Sequence, residues 1–260
     1  MKAIIFFTLL TFVTFVHSQS DPSFATVDVT LDNEQNGPLG QRISLSLLSS
    51  NAKAIAAAMQ QWQGIQVDAV TDSSLTITTE LRPRYMGEVK PQYSAATFVI
   101  DLDEPSTKGF TSGFVPSDEA IFSVDEVQAY VSEYISDATY IHGFNFASTV
   151  AKQKSGDCTE FAVLTTALVR ALGKPGRVVF GTVLIDDPTG VTAYGHAWTE
   201  VFDNGNWQII DAALYGLAED IRFYLPGSVI ENEGPGYGMS LAAGIMLMPS
   251  KLANVKTATL

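Results

Sequence analysis

The chain has 260 residues, 46% of them hydrophobic, with 28 acidic against 15 basic side chains and a formal net charge of −13. That balance argues against nucleic acid and anionic membranes as partners, because both repel an acidic surface. The length and apolar content suffice for one large domain or two small ones, and a single cysteine, Cys158, excludes any intramolecular disulfide.

Met1 and Lys2 form a short positive start, the run from Ala3 to Val16 is apolar, and Val16-His17-Ser18 before Gln19 has a small-residue cleavage pattern. This predicts a secretory signal peptide over residues 1–18. The run falls short of the roughly 20 apolar residues a bilayer core needs. No cysteine follows the cleavage site, so a lipid anchor there is unsupported. The expectation is an exported chain, periplasmic or secreted, without a stable membrane anchor. Removing residues 1–18 takes away Lys2 and no acid, so the charge passes from −13 to −14. An odd thiol in an oxidising compartment is intermolecular, buried and inert, or chemically employed.

Along the chain, Phe24 to Asp32 alternates as a half-buried strand. Asn51 to Trp62 is alanine-rich with Ile55, Met59 and Trp62 at helical spacing and Asn51 as a cap. Further strands are predicted at Ile65 to Thr71, Leu75 to Leu81 and Ala95 to Leu102. Residues 19–102 thus read as a small α+β region with a mostly antiparallel sheet and no catalytic cluster. The Pro, Gly and Ser of residues 103–118 predict a linker, and 119–260 a second domain. It opens with a helix in which Ser123 and Glu126 supply a capping box and Val127, Tyr130, Val131 and Tyr134 the stripe.

Cys158 begins the next helix. Gly156 and Asp157 precede it, Phe161, Leu164, Leu168 and Leu172 recur at helical intervals, and Gly173 and Pro175 stop the run. At a helix N-terminus the free N–H groups and the macrodipole favour an anion, which predicts an activated thiolate and a place for an oxyanion. A buried structural cysteine is the competing reading.

A strand from Arg177 to Ile185 follows, then a turn, then Gly195 to Ala213. Asn204-Gly205 between HAWTEVF and WQIID predicts a two-residue type I′ hairpin. That register sets Phe202 opposite Trp207, Glu200 opposite Ile209 and Trp198 opposite Asp211. With a period of two, His196, Trp198, Glu200 and Phe202 share a face with Trp207, Ile209 and Asp211. His196 then lies diagonally from Asp211, at the roughly 7–8 Å between backbones that an imidazole and a carboxylate bridge. Cys158, His196 and Asp211 are therefore the candidate nucleophile, base and orienter of a triad. Singly, His196 reads as a core histidine, Asp211 as a strand-end cap, Trp198 as core and Glu200 as an ordinary exposed strand residue. His142, the other histidine after residue 18, has no carboxylate that sequence can place beside it. The DDPTG loop lacks the ligand spacing of a calcium site.

SGDCTEFAVLTTALVRALGKPGRVV, GHAWTEVF and WQIIDAA resemble the three core motifs of the transglutaminase-like superfamily, over about Ser123 to Ala213. The resemblance implies a papain-like α+β core, a nucleophile helix packed on an antiparallel sheet, with Cys158, His196 and Asp211 as its catalytic residues. It implies an upstream oxyanion side chain, for which Tyr134, Tyr140 and Gln153 are candidates, and neither a metal nor an organic cofactor. The expected function is cysteine-dependent acyl transfer on protein or peptide amides through a thioester, by hydrolysis or transamidation. The alternative is a non-catalytic binding or assembly module on the same fold. Beyond the triad, Glu219 onward is expected to pack on the core, with Ala242 to Met248 as a buried strand.

Overall fold

The alternation at the start of the chain becomes strand β1 (Asp28–Leu31), and β2 (Arg42–Leu48) buries Ile43, Leu45 and Leu47 while the residues between them stay half-exposed. The structure, a computed structural model, describes residues 26–118, 121–139, 144–216, 221–231 and 233–258. The signal peptide expected over 1–18, Tyr140 and His142 lie outside them. Helix α1 (Ala52–Met59) buries Ala52, Ile55, Ala56 and Met59. Asn51 sits at its N-cap, but its side chain donates to the Met246 carbonyl at 2.9 Å and not to the helix. Strands β3 (Trp62–Val70) and β4 (Ser74–Tyr85) pair antiparallel.

No strand forms at residues 95–102. Val99 and Ile100 are buried as strand residues would be, but Val99 donates to the Glu233 carbonyl at 3.1 Å and accepts from the Ala147 amide at 3.0 Å. Its two backbone groups serve two separate segments, so no ladder propagates.

The stretch expected as a linker instead contains helix α2 (Pro105–Ser112), with Pro105 at its first position and Gly113 past its end. Its turn formers are helix punctuation, Pro starting and Gly ending. Phe110 is buried against α3 (Val124–Tyr134), whose Tyr130 hydroxyl donates to the Phe110 carbonyl at 2.6 Å. Ser123 caps α3 by accepting from the Glu126 amide at 3.2 Å, but the Glu126 carboxylate turns to the Ser117 hydroxyl. Half of the expected capping box is present. A short parallel pair follows, β5 (Asp137–Ala138) with β6 (Ser155–Gly156), the two separated by α4 (Ala147–Gln153).

Helix α5 (Cys158–Ala171) is buried at every position from Thr159 to Arg170, as expected of a helix at the centre of a domain. It packs on a four-stranded antiparallel sheet of β7 (Gly176–Asp187), β8 (Gly190–Asp203), β9 (Asn206–Ile210) and β10 (Ile221–Val229), in the order β10-β7-β8-β9. Two hydroxyls stitch helix to sheet: Thr166 meets Thr199 at 3.0 Å, and Thr199 donates to the Ala162 carbonyl at 2.8 Å. The hairpin between β8 and β9 turns at Asn204 (φ 50°) and Gly205 (φ 79°), with Phe202 opposite Trp207 and Glu200 opposite Ile209. This is the I′ register read from the sequence.

Ala242 to Met248 is not a buried strand. It covers the last turns of α6 (Tyr237–Met246), where Gly244 alone is buried, against the Phe180 ring, and Ile245 and Met246 face solvent. The final strand β11 (Lys251–Thr257) crosses back to the first sheet, lying parallel to β1 and antiparallel to β2 in the order β1-β11-β2-β4-β3. One apolar cluster joins the sheets, with Ile43, Leu45 and Leu252 of the first beside Leu184, Phe223 and Leu225 of the second. The fold is α+β, its most buried helix laid on an antiparallel sheet.

Candidate active site

The helix that carries Cys158 starts where it does because of Asp157 and Glu160. The Asp157 carboxylate accepts from the Thr159 amide at 2.9 Å, and the Glu160 carboxylate reaches back to the Asp157 amide at 3.1 Å, a complete capping box. Gly156 makes room for this. A Cβ there would stand 2.3 Å from the Glu160 Cβ. Glu160 also accepts from the amide and side chain of Asn145, at 3.0 and 3.1 Å, tying the segment that leads into α4 to the helix tip. Burial, followed by the charge of Asp157, lifts the Glu160 carboxyl to about 7.

Cys158, half-buried at the first turn, packs against the same buried cluster as Phe144, Phe146, Tyr237 and Leu241. Across from it, His196 rises from β8 and is buried, with Nε2 placed 2.8 Å from Asp211 Oδ2. Since Nε2 is engaged by the carboxylate, Nδ1 is the nitrogen left for the sulfur. Burial alone would lower His196, but the charge and hydrogen bond of Asp211 and the side chain of Cys158 outweigh it and push it up to about 10. Burial likewise opposes ionisation of Asp211, yet His196 and Tyr224 hold its carboxyl below the ordinary value. The three residues singled out in the sequence therefore meet, with sulfur at the open end and carboxylate at the closed end.

Asp211 directly follows the last paired residue of β9, and its amide donates to Gln128 Oε1 of α3 at 2.9 Å. Among the described residues its carboxylate accepts from His196, from the Tyr224 hydroxyl at 2.9 Å on Oδ2, and from the Leu214 amide at 3.3 Å on Oδ1. Trp198, buried, stacks on His196 with centroids 6.2 Å apart and meets Tyr224 edge-on at 5.2 Å. These rings keep water from the His–Asp pair.

Glu200 is not an exposed strand residue. It is 1% exposed, pairs with the Arg177 guanidinium at 2.5 and 3.0 Å, and accepts from the Trp62 indole at 2.8 Å. It belongs to the joint between the sheets. Of the oxyanion candidates, Tyr134 donates to the Ala151 carbonyl at 2.8 Å and packs on Phe110, whereas Gln153 is exposed at the end of α4. Gln128, Asn145 and Tyr224 escaped sequence reasoning, since each acts through a contact between distant segments. Glu160 could have been found from its spacing to Asp157.

Residues 110–212, from Phe110 of α2 to the residue after Asp211, match the family model of the transglutaminase-like superfamily. That segment carries α3, α5 and the strands that bring Cys158, His196 and Asp211 together, and its likeness to the superfamily is a likeness of this segment. Among solved structures, the chain is similar to a candidate cysteine protease from Cytophaga hutchinsonii, with 15% identity and a TM-score of 0.43, covering 72% of this chain and 77% of that one. It is also similar to the periplasmic domain of TgpA from Pseudomonas aeruginosa, with 15% identity and a TM-score of 0.40, covering 69% of this chain and 74% of that one. No curated protein matches it.

Proposed function

We propose that the protein is an exported cysteine-dependent acyl-transfer enzyme that acts on protein or peptide amides through a thioester. The observation that carries this reading is the joining of Cys158, at a helix N-terminus, to a His196 whose second nitrogen is held 2.8 Å from Asp211. A solely structural cysteine needs no imidazole beside it and no carboxylate behind that imidazole.

The Cys158 sulfur gives up its proton to His196 and attacks the amide carbon. The carbonyl oxygen becomes an oxyanion facing the backbone N–H groups at the start of α5. Imidazolium then hands its proton to the departing amine as the C–N bond breaks, leaving a thioester. Water or a second amine, deprotonated by His196, takes the acyl group and frees the sulfur. Water makes the reaction hydrolysis, and a lysine amine makes it cross-linking. Half-buried Phe144, Phe146 and Tyr237, which pack against the same cluster as Cys158, favour a substrate with an apolar side chain. Export rests on the signal peptide read at residues 1–18. The described residues contain no helix long and apolar enough to cross a membrane.

Mass spectrometry of extracellular proteins and peptides incubated with wild type and Cys158→Ala, with and without added amine, tests the reading. Deamidation, amine incorporation or backbone cleavage should appear with the wild type and vanish in the variant. Equal products from both would refute it.

A further inference from the structure

Asp211 has two carboxylate oxygens, and both strong donors converge on one of them. His196 Nε2 lies 2.8 Å and the Tyr224 hydroxyl 2.9 Å from Oδ2, while the Leu214 amide is 3.3 Å from Oδ1. Tyr224 arrives from outside the triad's own hairpin. It stands on β10, opposite Val183 of β7, with β7 between its strand and β8. Its ring is fully buried and locked edge-on against Trp198, which in turn stacks on His196. Gly181, the residue opposite His196, leaves this face clear: a Cβ there would lie 2.7 Å from the Trp198 ring. The packing thus brings a hydroxyl from the far side of the sheet to the closed end of the triad.

We propose that Tyr224 is a positioning residue, whose hydroxyl fixes Asp211 Oδ2 as the oxygen that orients His196. With His196 alone on Oδ2 and the longer Leu214 amide contact on Oδ1, the carboxylate can turn and offer either oxygen, and with it the imidazole turns. A second donor on the same oxygen removes that freedom. It also draws off part of the negative charge, so the proton between His196 and Asp211 stays on Nε2, which leaves Nδ1 as the nitrogen that takes the thiol's proton and hands it to the leaving amine. Burial and the adjacent Asp211 charge raise the Tyr224 phenol well above its ordinary value, so the hydroxyl remains a donor throughout the working range. The other charged groups acting on Asp211 and Tyr224 are His196 of β8, Arg222 of β10 and Arg82 of β4. All of them stay in place when Tyr224 is changed.

The inference rests on Cys158 as the nucleophile, and one experiment separates the two claims. Cys158 is the only thiol in the chain, so iodoacetamide alkylation of the mature protein, followed by intact mass across pH, reports its ion pair with His196. His196→Ala comes first, and a profile unchanged from wild type would overturn the nucleophile assignment itself. Given a changed profile, Tyr224→Phe, which keeps the ring and its packing on Trp198, should move the acid limb to higher pH by roughly half to one unit, the worth of one lost hydrogen bond to the carboxylate. Difluorotyrosine installed at position 224, a stronger donor of nearly the same shape, should move the limb the other way, and it decides the matter should Tyr224→Phe not fold. Tyr93→Phe removes a buried phenol hydroxyl 3.4 Å from Glu231 instead and should leave the limb in place. A Tyr224→Phe limb identical to wild type, or an equal shift in Tyr93→Phe, would overturn the proposal and leave the nucleophile assignment standing.

Discussion

At the scale of single residues, the site is a chain of charge running from a half-open sulfur to a buried carboxylate. His196, raised to about 10, holds its proton well above its unfolded value of about 6.5. Its contribution to stability is therefore complete below about 6.5 and disappears as pH rises through about 10. Asp211→Asn removes the charge that sustains this, so the wild type should lose melting temperature between pH 7 and 10 and the variant should lose far less. The same substitution should lower turnover by about 10³–10⁴-fold, since it permits the wrong imidazole tautomer; steady-state kinetics on any substrate the mass-spectrometric screen identifies would check it. Glu160 has the same sign in a lower window. Its neutral form stabilises the fold fully below about 4.5, and that stabilisation is lost as pH rises through about 7. Glu160→Gln should flatten the decline in melting temperature between pH 5 and 8, as read by calorimetry. Cys158 and Asp211 were legible because each sits at an element boundary that local residue types announce, a cap and the end of a hairpin; His196, expected at a strand start, lies in the middle of β8 and was legible through the hairpin register instead. Tyr224 was not, because its partner is set by the pairing of β10 with β7, and neither strand announces that register.

At the scale of elements, the sequence was legible wherever one segment satisfied its own backbone. The Asn204-Gly205 turn set the hairpin register correctly, since its left-handed dihedrals admit few residue types. The Ala-rich helix α1 and strands β3 and β4 likewise follow from periodicity, except that Trp62, expected on the helical stripe, opens β3 after the helix ends at Met59. Residues 95–102 and Ala242 to Met248 misled for one reason: apolar runs announce burial without saying whether a ladder or a helix supplies the hydrogen bonds. The tip of α5 carries a sharp test of local packing. Gly156→Ala drives a methyl into Glu160 at 2.3 Å and should cost about 1–3 kcal/mol. Urea unfolding should show this as a lower midpoint with an unchanged slope, because the capping box must open to admit it.

At the scale of the whole molecule, the first sheet is joined to the second through a charge buried among rings. The Arg177 guanidinium lies 3.4 Å from the Tyr85 ring centroid and 4.7 Å from that of Trp207, while Glu200 accepts from both Arg177 and Trp62. Trp62 and Tyr85 come from β3 and β4, Arg177, Glu200 and Trp207 from the second sheet. Removing one partner strands the other in the interior, so Arg177→Ala should destabilise the protein by about 3–5 kcal/mol, measurable by denaturant titration, and should loosen the support beneath β8. The joint was illegible in the sequence because it pairs residues 62 and 85 with 177, 200 and 207 across two sheets. The return of β11 to β1 and β2 was hidden for the same reason.

The central claim is that Cys158 forms a thioester with an amide substrate, and hydroxylamine intercepts such a species whether the natural acceptor is water or an amine. With hydroxylamine and a pool of extracellular peptides, wild-type protein should generate peptide hydroxamates detectable by mass spectrometry, and Cys158→Ala should generate none. Hydroxamates formed equally by Cys158→Ala, or a wild-type protein that cleaves or exchanges amides while hydroxylamine captures nothing, would contradict it.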